Sequence, residues 1–217
     1  DGPAGAGKST IAKQLAKELS FIYVDTGAMY RSMALYFMRN GIAKEDEAAI
    51  SDACKTVEVS IAYENGEQQV LLNGENVSKE IRKEEVGKMA SATSVYKEVR
   101  KKLVELQQKL AADKDVIMDG RDIGTTVLPD AFAKIYLTAS SDARAKRRYD
   151  ELKEKGENCS FDAIKEDIEK RDYEDMHRAI SPLKQADDAV LVDTSDMNIE
   201  QVVAALSKII DEKKAGR

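Results

Sequence analysis

Apolar residues recur along the chain at two spacings, one typical of helices and one typical of strands. Ile11, Leu15 and Leu19 repeat every four residues, which predicts an amphipathic helix. Residues 21–24 form a short apolar run typical of a buried strand, and a helix rich in Met and aromatic residues is predicted from about 28 to 39. A helix, a strand and a second helix in this order begin an α/β pattern.

The same pattern continues to the end of the chain. Three further apolar runs predict buried strands at 116–118, 134–137 and 189–192. Long polar segments predict helices at 86–112, 141–155, 161–179 and 198–213. Strands that alternate with helices imply a parallel sheet covered on both faces, so we expect an α/β fold.

One segment departs from this alternation of helices and strands. Apolar and polar residues alternate over 57–63, and a second apolar run occupies 70–72. An Asn-Gly pair follows each run, at 65–66 and 73–74, and Asn-Gly is a strong signal for a tight hairpin because both central residues need positive φ. We therefore expect a small antiparallel meander at roughly 56–78, inserted into the α/β core.

The composition narrows the possible functions. The 217-residue chain suits one domain with a sizeable insertion. Its net charge of −6 leaves no broad basic field for nucleic acid. No stretch approaches the roughly 20 apolar residues that a membrane span needs, so we expect no membrane partner. His177 is the only histidine, which argues against a histidine metal site or a Ser-His triad.

The cysteines suggest a reducing environment. Cys54 and Cys159 are far apart and lack metal-ligand spacing, and so few cysteines favour a reduced cytoplasm. No signal peptide is visible in the sequence. We expect a cytoplasmic protein that works as a monomer.

The chain begins with a phosphate-binding sequence. Gly2 to Ser9 satisfies G-x-x-x-x-G-K-[ST] at every fixed position, and a helix follows it. The glycines let backbone N–H groups surround a phosphate, Lys8 adds positive charge at the β/γ-phosphates, and Ser9 offers a hydroxyl to Mg²⁺. The residues predicted to bind ATP through this loop are Gly2, Pro3, Ala4, Gly5, Ala6, Gly7, Lys8, Ser9 and Thr10. Such a loop normally follows a buried strand, so we expect a segment carrying that strand to precede Asp1.

Two polar clusters are predicted at strand ends, where open α/β sheets bind ligands. Thr26 can cap the helix that starts near it. Arg31 lies one turn into that helix, where its planar guanidinium could make two hydrogen bonds to a phosphate. An ordinary capped helix with a surface arginine is the alternative. Asp119 follows the strand 116–118, as the carboxylate that assists Mg²⁺ does in phosphate-loop proteins. The alternative is an ordinary turn in which Arg121 forms a salt bridge with Asp119 or Asp122.

Two groups of charged residues have helical spacing. Arg144, Arg147 and Arg148 would share one helix face. The second group consists of Arg171, Asp175 and Arg178. A polar loop at 153–160 separates them. Two arginine faces beside a mobile loop describe a lid that closes over phosphates, whereas ordinary solvated helix faces are the alternative.

The motifs together resemble those of bacterial-type cytidylate kinases, in the nucleoside monophosphate kinase family. The matching segments are 1–10, 25–31, 80–82, 119–125, 144–148 and 171–183. The resemblance implies a P-loop kinase fold with a five-stranded parallel sheet. It also implies a single domain with a core (1–35, 110–145 and 180–217), an acceptor-binding insertion (about 36–109) and a helical lid (about 146–165). The implied reaction transfers the γ-phosphoryl group of ATP to CMP or dCMP, with Mg²⁺ as the cofactor.

The resemblance also implies roles for individual residues. The acceptor phosphate would be gathered by Arg31, Arg121 and Arg178. Cytosine would be read by Ser91, Arg100 and Asp122. The ribose would be contacted by Arg171 and Asp175, with Tyr30 packing near the acceptor. Arg147 would reach the donor from the lid, with Arg144 and Arg148 nearby. Relatives often carry Ser where this chain has Ala4, so the resemblance does not imply a hydroxyl contact from this position to the acceptor phosphate.

The chemistry suits these residue types independently of the resemblance. A phosphate with a second pKa of about 6 is already mostly ionised at neutral pH, so no general base is needed. The reaction instead needs positive charge to offset the repulsion of two anions. Among the alternatives, a GTPase would need an N-K-x-D motif to recognise guanine, and the sequence contains no such motif. Another small P-loop kinase, such as an adenylate or shikimate kinase, is an alternative that the insertion and the segment 119–125 disfavour. A non-catalytic nucleotide sensor is another alternative, and the intact Lys8, Ser9 and arginines argue against it.

Overall fold

The structure is a computed structural model, and it describes residues 1–216. In chain order the elements are α1 (Lys8–Leu19), β1 (Ile22–Asp25), α2 (Thr26–Arg39), α3 (Glu47–Thr56), β2 (Val59–Glu64), β3 (Glu67–Leu72), β4 (Glu75–Asn76), a 3-10 turn (Glu80–Arg82), α4 (Glu84–Thr93), α5 (Lys97–Ala112), β5 (Val116–Asp119), a π-turn (Ile123–Val127), β6 (Ile135–Thr138), α6 (Ser141–Glu154), α7 (Phe161–His177), β7 (Val190–Asp193) and α8 (Ile199–Ala215). The predicted α/β class is confirmed, and each strand predicted at 21–24, 116–118, 134–137 and 189–192 lies within about a residue of its prediction.

The chain separates into two compact units. The first unit contains residues 1–19 and the chain from Gly120 onwards, and the second contains residues 20–119. The predicted division into core, insertion and lid stays a prediction.

The second unit is built around α2. Met29, Met33 and Phe37 of this helix are fully buried, at the four-residue spacing that places side chains on one face. Strands β1 and β5 form a parallel pair in the same unit, with Ile22 opposite Val116. The predicted helix at about 28–39 is confirmed, although it begins two residues earlier.

The inserted meander is confirmed as an antiparallel sheet in the order β2-β3-β4. Its first turn is Asn65-Gly66, with φ of 53° and 80°, and its second is Asn73-Gly74, with φ of 49° and 84°. Positive φ at both central residues matches the right-handed twist of the strands on either side. The Asn-Gly pairs therefore place the turns that set the register, in which Val59 lies opposite Leu72.

The predicted single helix over 86–112 is wrong, because the chain forms two helices there. Helix α4 ends at Thr93, and Tyr96 has an extended backbone (φ −76°, ψ 133°) before α5 begins. The Ser94 carbonyl accepts a hydrogen bond from Arg100 Nη1 (3.3 Å), and the Ser94 hydroxyl donates to the Ser91 carbonyl (2.9 Å). Side chains thus satisfy backbone groups at the break, which helical periodicity alone does not reveal.

Helix α3 has no counterpart among the predicted elements. Asp46 begins it by accepting a hydrogen bond from the Ala49 N–H (2.9 Å), and Ile50 and Cys54 are buried. An aspartate cap followed by apolar residues four positions apart was the available signal for this helix.

The first unit contains the other parallel pair, β6 with β7, in which Ile135 lies opposite Val190. The backbone of Asp1 runs beside β6, since its N–H donates to the Ile135 carbonyl (2.8 Å) and its carbonyl accepts from the Leu137 N–H (2.8 Å). The parallel strands thus occur as two pairs, one in each unit, and the five-stranded sheet is not confirmed. None of the helices in residues 1–216 has the length and apolar character needed to cross a membrane.

We expect Gly66→Ala to lower the free energy of unfolding by about 1 kcal/mol, because alanine is strained at a φ of 80°. A Cβ at this position would meet nothing within 4 Å, so the loss would come from the backbone alone. Gly66→Asn is the matched control, since asparagine tolerates the left-handed region, and it should lose less. Urea unfolding of the three proteins measures both effects. An Asn variant that is no more stable than the Ala variant would contradict this account.

Candidate functional site

The glycine loop turns tightly into α1. Gly2 has a φ of 145°, and a Cβ there would lie only 1.9 Å from the Leu137 carbonyl oxygen. Only glycine therefore lets the loop pass this close to β6. Lys8 is the first residue of α1, and its Nζ donates to the Pro3 carbonyl (2.6 Å) across the loop. The positively polarised start of the helix and the Lys8 ammonium group thus lie on the same loop, as phosphate binding requires.

Arg144 supports this loop from α6. Its side chain is buried, and its guanidinium donates to the carbonyls of Ala4 (3.0 Å) and Ala139 (2.9 Å). It also makes a bidentate ion pair with Asp172 of α7, in which Nη1 lies 3.0 Å from Oδ1 and Nη2 lies 2.6 Å from Oδ2. The sequence grouped Arg144 with the lid, whereas the structure places it against the loop.

The three arginines of α6 do not converge. Arg147 donates to the Thr194 carbonyl and to the Thr194 hydroxyl, which is 3.3 Å away. Arg148 is exposed and pairs with Glu151 (2.9 Å) on its own helix. The polar loop between α6 and α7 is present, but a joint arginine face over it is not formed in this structure. The lid function stays a prediction.

A second cluster forms near the end of α7. Arg121 Nε lies 2.8 Å from Asp175 Oδ2, and Arg178 Nη1 lies 3.8 Å from Asp175 Oδ1. Arg178 Nη2 is 3.6 Å from Asp122 Oδ1, and both side chains are almost fully buried. The prediction of a helix over 161–179 placed Arg178 on α7, whereas α7 ends at His177 and Arg178 has an extended backbone (φ −64°, ψ 143°).

Arg171 completes this cluster. Burial lowers the pKa of its guanidinium, and the positive charge of Arg121 lowers that pKa further, while Asp175 raises it. The Nε atom of Arg171 is buried with no hydrogen-bond partner among the described residues. The carboxylates of Asp167 and Asp172 also raise the pKa of Arg171, so the three guanidiniums lie among four carboxylates. Burial and the neighbouring Arg121 nevertheless lower the pKa of Arg171, and an anion bound there would stabilise its charged form.

The carboxylate of Asp1 orients the turn that follows Asp122. Its two oxygens accept hydrogen bonds from the N–H groups of Ile123 (2.9 Å) and Gly124 (2.7 Å). These are the first residues of the π-turn, so Asp1 satisfies donors that have no partner within the turn. Asp1 was not among the predicted site residues. The signals in the sequence were its position directly before the glycine loop and its place in the matching segment 1–10.

In the second unit, Asp25 organises the junction between β1 and α2. Its side chain accepts from the Ala28 N–H (2.9 Å), which makes Asp25 the helix cap in place of the predicted Thr26. The Thr26 hydroxyl instead donates to the Asp119 carbonyl (2.7 Å). The amide of Gln68, on β3, bonds both the N–H (2.8 Å) and the carbonyl (3.2 Å) of Asp25. The inserted sheet thus holds the residue that begins α2.

Arg31 lies one turn into α2, as predicted. Its Nη1 donates to the carbonyls of Ile81 (3.0 Å) and Lys83 (3.2 Å), at the start of α4. The neighbouring Arg82 forms an ion pair with Asp25 (3.1 Å). The predicted motif at 80–82 therefore contacts both ends of the segment 25–31.

Tyr30 and Arg100 lie together in the second unit. The Arg100 guanidinium is 5.7 Å from the centre of the Tyr30 ring, within the range of a cation–π contact. Arg100 is buried, and it donates to the Ser94 carbonyl. Ser91 is on α4, and its carbonyl accepts from the Ser94 hydroxyl. Tyr30, Arg100 and Ser91, which are all predicted to contact the acceptor, are therefore connected through the break between α4 and α5.

The predicted magnesium ligands are oxygen donors, as Mg²⁺ prefers. Ser9 is exposed in the first turn of α1, directly after Lys8. Asp119 ends β5, is almost fully buried, and accepts a hydrogen bond from the Tyr23 hydroxyl (3.1 Å). Within residues 1–216, no group of three or more His, Cys, Asp or Glu side chains is arranged to hold a metal ion.

The loop and the helix that follows it define a protein of the phosphate-binding P-loop class. The family described as cytidylate kinase matches residues 1–212. The chain is 50% identical to the cytidylate kinase of Lactobacillus johnsonii over 214 residues, which cover 99% of this chain and 93% of that protein. It is 47% identical to the cytidylate kinase of Caldicellulosiruptor bescii over 211 residues, which cover 97% of this chain and 92% of that protein. The chain therefore belongs to the cytidylate kinase family.

The different environments of two arginines predict different costs of mutation. We expect Asp172→Ala to lower the free energy of unfolding by about 3 kcal/mol or more, because it leaves the buried Arg144 without its carboxylate. Arg148→Ala is the control, and this exposed change should stay within about 0.5 kcal/mol. Denaturant unfolding with far-ultraviolet circular dichroism measures both. Equal effects of the two substitutions would show that Arg144 does not depend on Asp172.

Proposed function

We propose that this protein is a kinase that transfers the γ-phosphoryl group of ATP to CMP or dCMP, giving ADP and CDP or dCDP. The observation that carries the proposal is the match to the cytidylate kinase family over residues 1–212, together with the complete phosphate loop. The three neighbouring guanidiniums of Arg121, Arg171 and Arg178 support it, because an enzyme that joins two phosphates must hold anions.

On the donor side, we assign the β/γ-phosphates of ATP to the loop. The residues proposed to bind ATP are Gly2, Pro3, Ala4, Gly5, Ala6, Gly7, Lys8, Ser9 and Thr10, with Arg147 from the predicted lid. Lys8 provides the positive charge and the backbone N–H groups provide the donors. Arg144 keeps the loop in place through the Ala4 carbonyl, so its role is structural.

On the acceptor side, the roles follow the charge and burial of each residue. We assign the acceptor phosphate to Arg31, Arg121 and Arg178, whose planar guanidiniums can bind phosphate oxygens in pairs. The ribose is assigned to Arg171 and Asp175. The base is assigned to Ser91, Arg100 and Asp122, with Tyr30 near the acceptor.

The reaction needs no general base from the protein. The acceptor phosphate is mostly ionised at neutral pH, so it can attack without losing a proton to a side chain. The protein instead positions the two phosphates and offsets their mutual repulsion, which Lys8 and the guanidiniums do. Exclusion of water prevents transfer of the phosphoryl group to water, and we assign this to closure of the polar loop between α6 and α7.

We propose Mg²⁺ as the cofactor, held with the help of the Ser9 hydroxyl and the Asp119 carboxylate. When bound, the ion supplies positive charge that stabilises the transferring phosphoryl group. The free thiols of Cys54 and Cys159 agree with work in a reducing compartment such as the cytoplasm. We propose that the enzyme acts there as a monomer.

The choice of base is the most specific part of the proposal. Cytosine has an amino group that can donate a hydrogen bond to the Asp122 carboxylate. Uracil has a carbonyl at that position, and its oxygen would be repelled by the two carboxylate oxygens of Asp122. A mismatch of this kind costs ~1–3 kcal/mol for each polar group left unpaired.

The test is ADP formation in a coupled assay over a panel of nucleoside monophosphates. We expect kcat/KM for CMP to exceed that for UMP by at least roughly tenfold in the wild type, and Asp122→Ala to narrow this ratio by roughly tenfold. Activity with AMP or shikimate but not CMP would favour another small P-loop kinase. Nucleotide binding without any ADP formation would favour a sensor. An unchanged CMP/UMP ratio in Asp122→Ala would remove Asp122 from base recognition.

Lys8→Ala tests the donor site separately. We expect kcat to fall on the order of 10²-fold or more, because the substitution removes positive charge where the transition state concentrates negative charge. Lys17→Ala is the control, since Lys17 is an exposed residue in the last turn of the same helix. Steady-state kinetics with CMP and ATP give kcat and KM for each variant. A normal kcat with a raised KM for ATP would reduce Lys8 to a role in ground-state binding.

A further inference from the structure

The Arg31 guanidinium lies directly over Gly87 of α4. A Cβ placed on Gly87 would be 2.7 Å from Arg31 Nη2, 2.8 Å from Nη1 and 3.0 Å from Cζ. Nonbonded carbon and nitrogen atoms do not approach this closely, so any side chain at position 87 would occupy the space that the guanidinium now fills.

The same guanidinium is fixed by the main chain on either side of this contact. Its Nη1 donates to the carbonyls of Ile81 and Lys83. The Lys83 carbonyl also accepts the Gly87 N–H (3.2 Å) in the first turn of α4. The position of Arg31 thus depends on the same turn of helix to which Gly87 belongs.

The helix itself gives no reason for a glycine at this position. Gly87 is not among the glycines with positive φ, and it is buried within an α-helix, where alanine is favoured over glycine by about 1 kcal/mol. The atoms that a Cβ would meet are the flexible end of one side chain, with no backbone atom among the three nearest. An added methyl group would therefore displace Arg31 and leave α4 intact.

We propose that Gly87 is a positioning residue for Arg31. Its missing side chain makes the space in which the guanidinium is held ready for the phosphate of the acceptor nucleotide. The inference rests on the proposed function, in which Arg31 binds that phosphate. It adds a residue that touches no substrate and acts only through Arg31.

The test separates positioning from stability, because CMP binding should weaken while the fold is retained. We expect Gly87→Ala to raise the KM for CMP and the Kd for CMP about tenfold, by displacing a charged group from its ligand. The KM for ATP should stay unchanged. The melting temperature should change little, because the preference of a helix for alanine offsets the hydrogen bonds that Arg31 gives up. Calorimetric binding of CMP, steady-state kinetics and thermal unfolding measure these quantities.

A double-mutant cycle shows whether the effect passes through Arg31. Gly87→Ala should add little to the KM for CMP when it is combined with Arg31→Ala, since the group that it displaces is gone. Gly216→Ala is the matched control, because a Cβ there would meet only the Glu212 carbonyl at an ordinary 3.6 Å. It should leave both the KM for CMP and kcat unchanged.

The outcomes distinguish this inference from the proposed function. A wild-type protein that neither binds nor phosphorylates CMP contradicts both. An active wild type with a normal Gly87→Ala variant overturns the inference alone. The same holds if Gly87→Ala raises the KM equally with and without Arg31, or if it lowers the melting temperature together with activity toward every substrate.

Discussion

Several positively charged side chains of the candidate site are oriented by hydrogen bonds to main-chain carbonyl groups. Arg31, Arg147 and Arg178 each donate to at least one carbonyl, and so does Lys8. The carbonyls that accept from the arginines and lysine of the candidate site belong to Pro3, Ala4, Ile81, Lys83, Ser94, Ala139, Ser181 and Thr194. A carbonyl dipole fixes the direction of a guanidinium without cancelling its charge. These bonds therefore fix the positions of the charged groups, and fixed positions are a condition for electrostatic catalysis.

Carboxylates act differently at different arginines. Asp172 makes a close, two-bonded pair with Arg144, which ties α6 to α7 and supports the glycine loop. In the cluster at the end of α7, burial lowers the pKa of the Arg171 guanidinium, and the nearby charge of Arg121 lowers it further. The ion pairs of Arg178 with Asp122 (3.6 Å) and Asp175 (3.8 Å) are longer than the pair of Arg144 with Asp172 (2.6 Å). The close pair of Arg144 supports the fold, whereas the longer pairs of Arg178 occur where we propose that an anion binds.

The inserted sheet contributes to the second unit through polar contacts. Gln68 bonds both backbone groups of Asp25, so β3 holds the start of α2, the helix that carries Arg31. At the other end of α2, Arg39 pairs with Glu75 and Glu80, and their hydrogen bonds raise the pKa of its guanidinium. The same bond to Arg39 lowers the pKa of Glu75. The inserted segment therefore contacts both ends of α2, which gives it a structural role within the second unit.

The sequence by itself determined the features that depend on neighbouring residues. The phosphate loop, the short strands and the two Asn-Gly turns follow from spacing and from φ preferences, which act over a few residues. The tertiary structure decided what depends on segments far apart in the chain. Arg144 meets Asp172 and Arg31 meets Gly87 only after folding, and the carboxylate of Asp1 reaches a turn more than a hundred residues away. A charged side chain can satisfy its hydrogen bonds with many partners, so its partner is set by which backbone and carboxylate oxygens packing brings within about 3 Å.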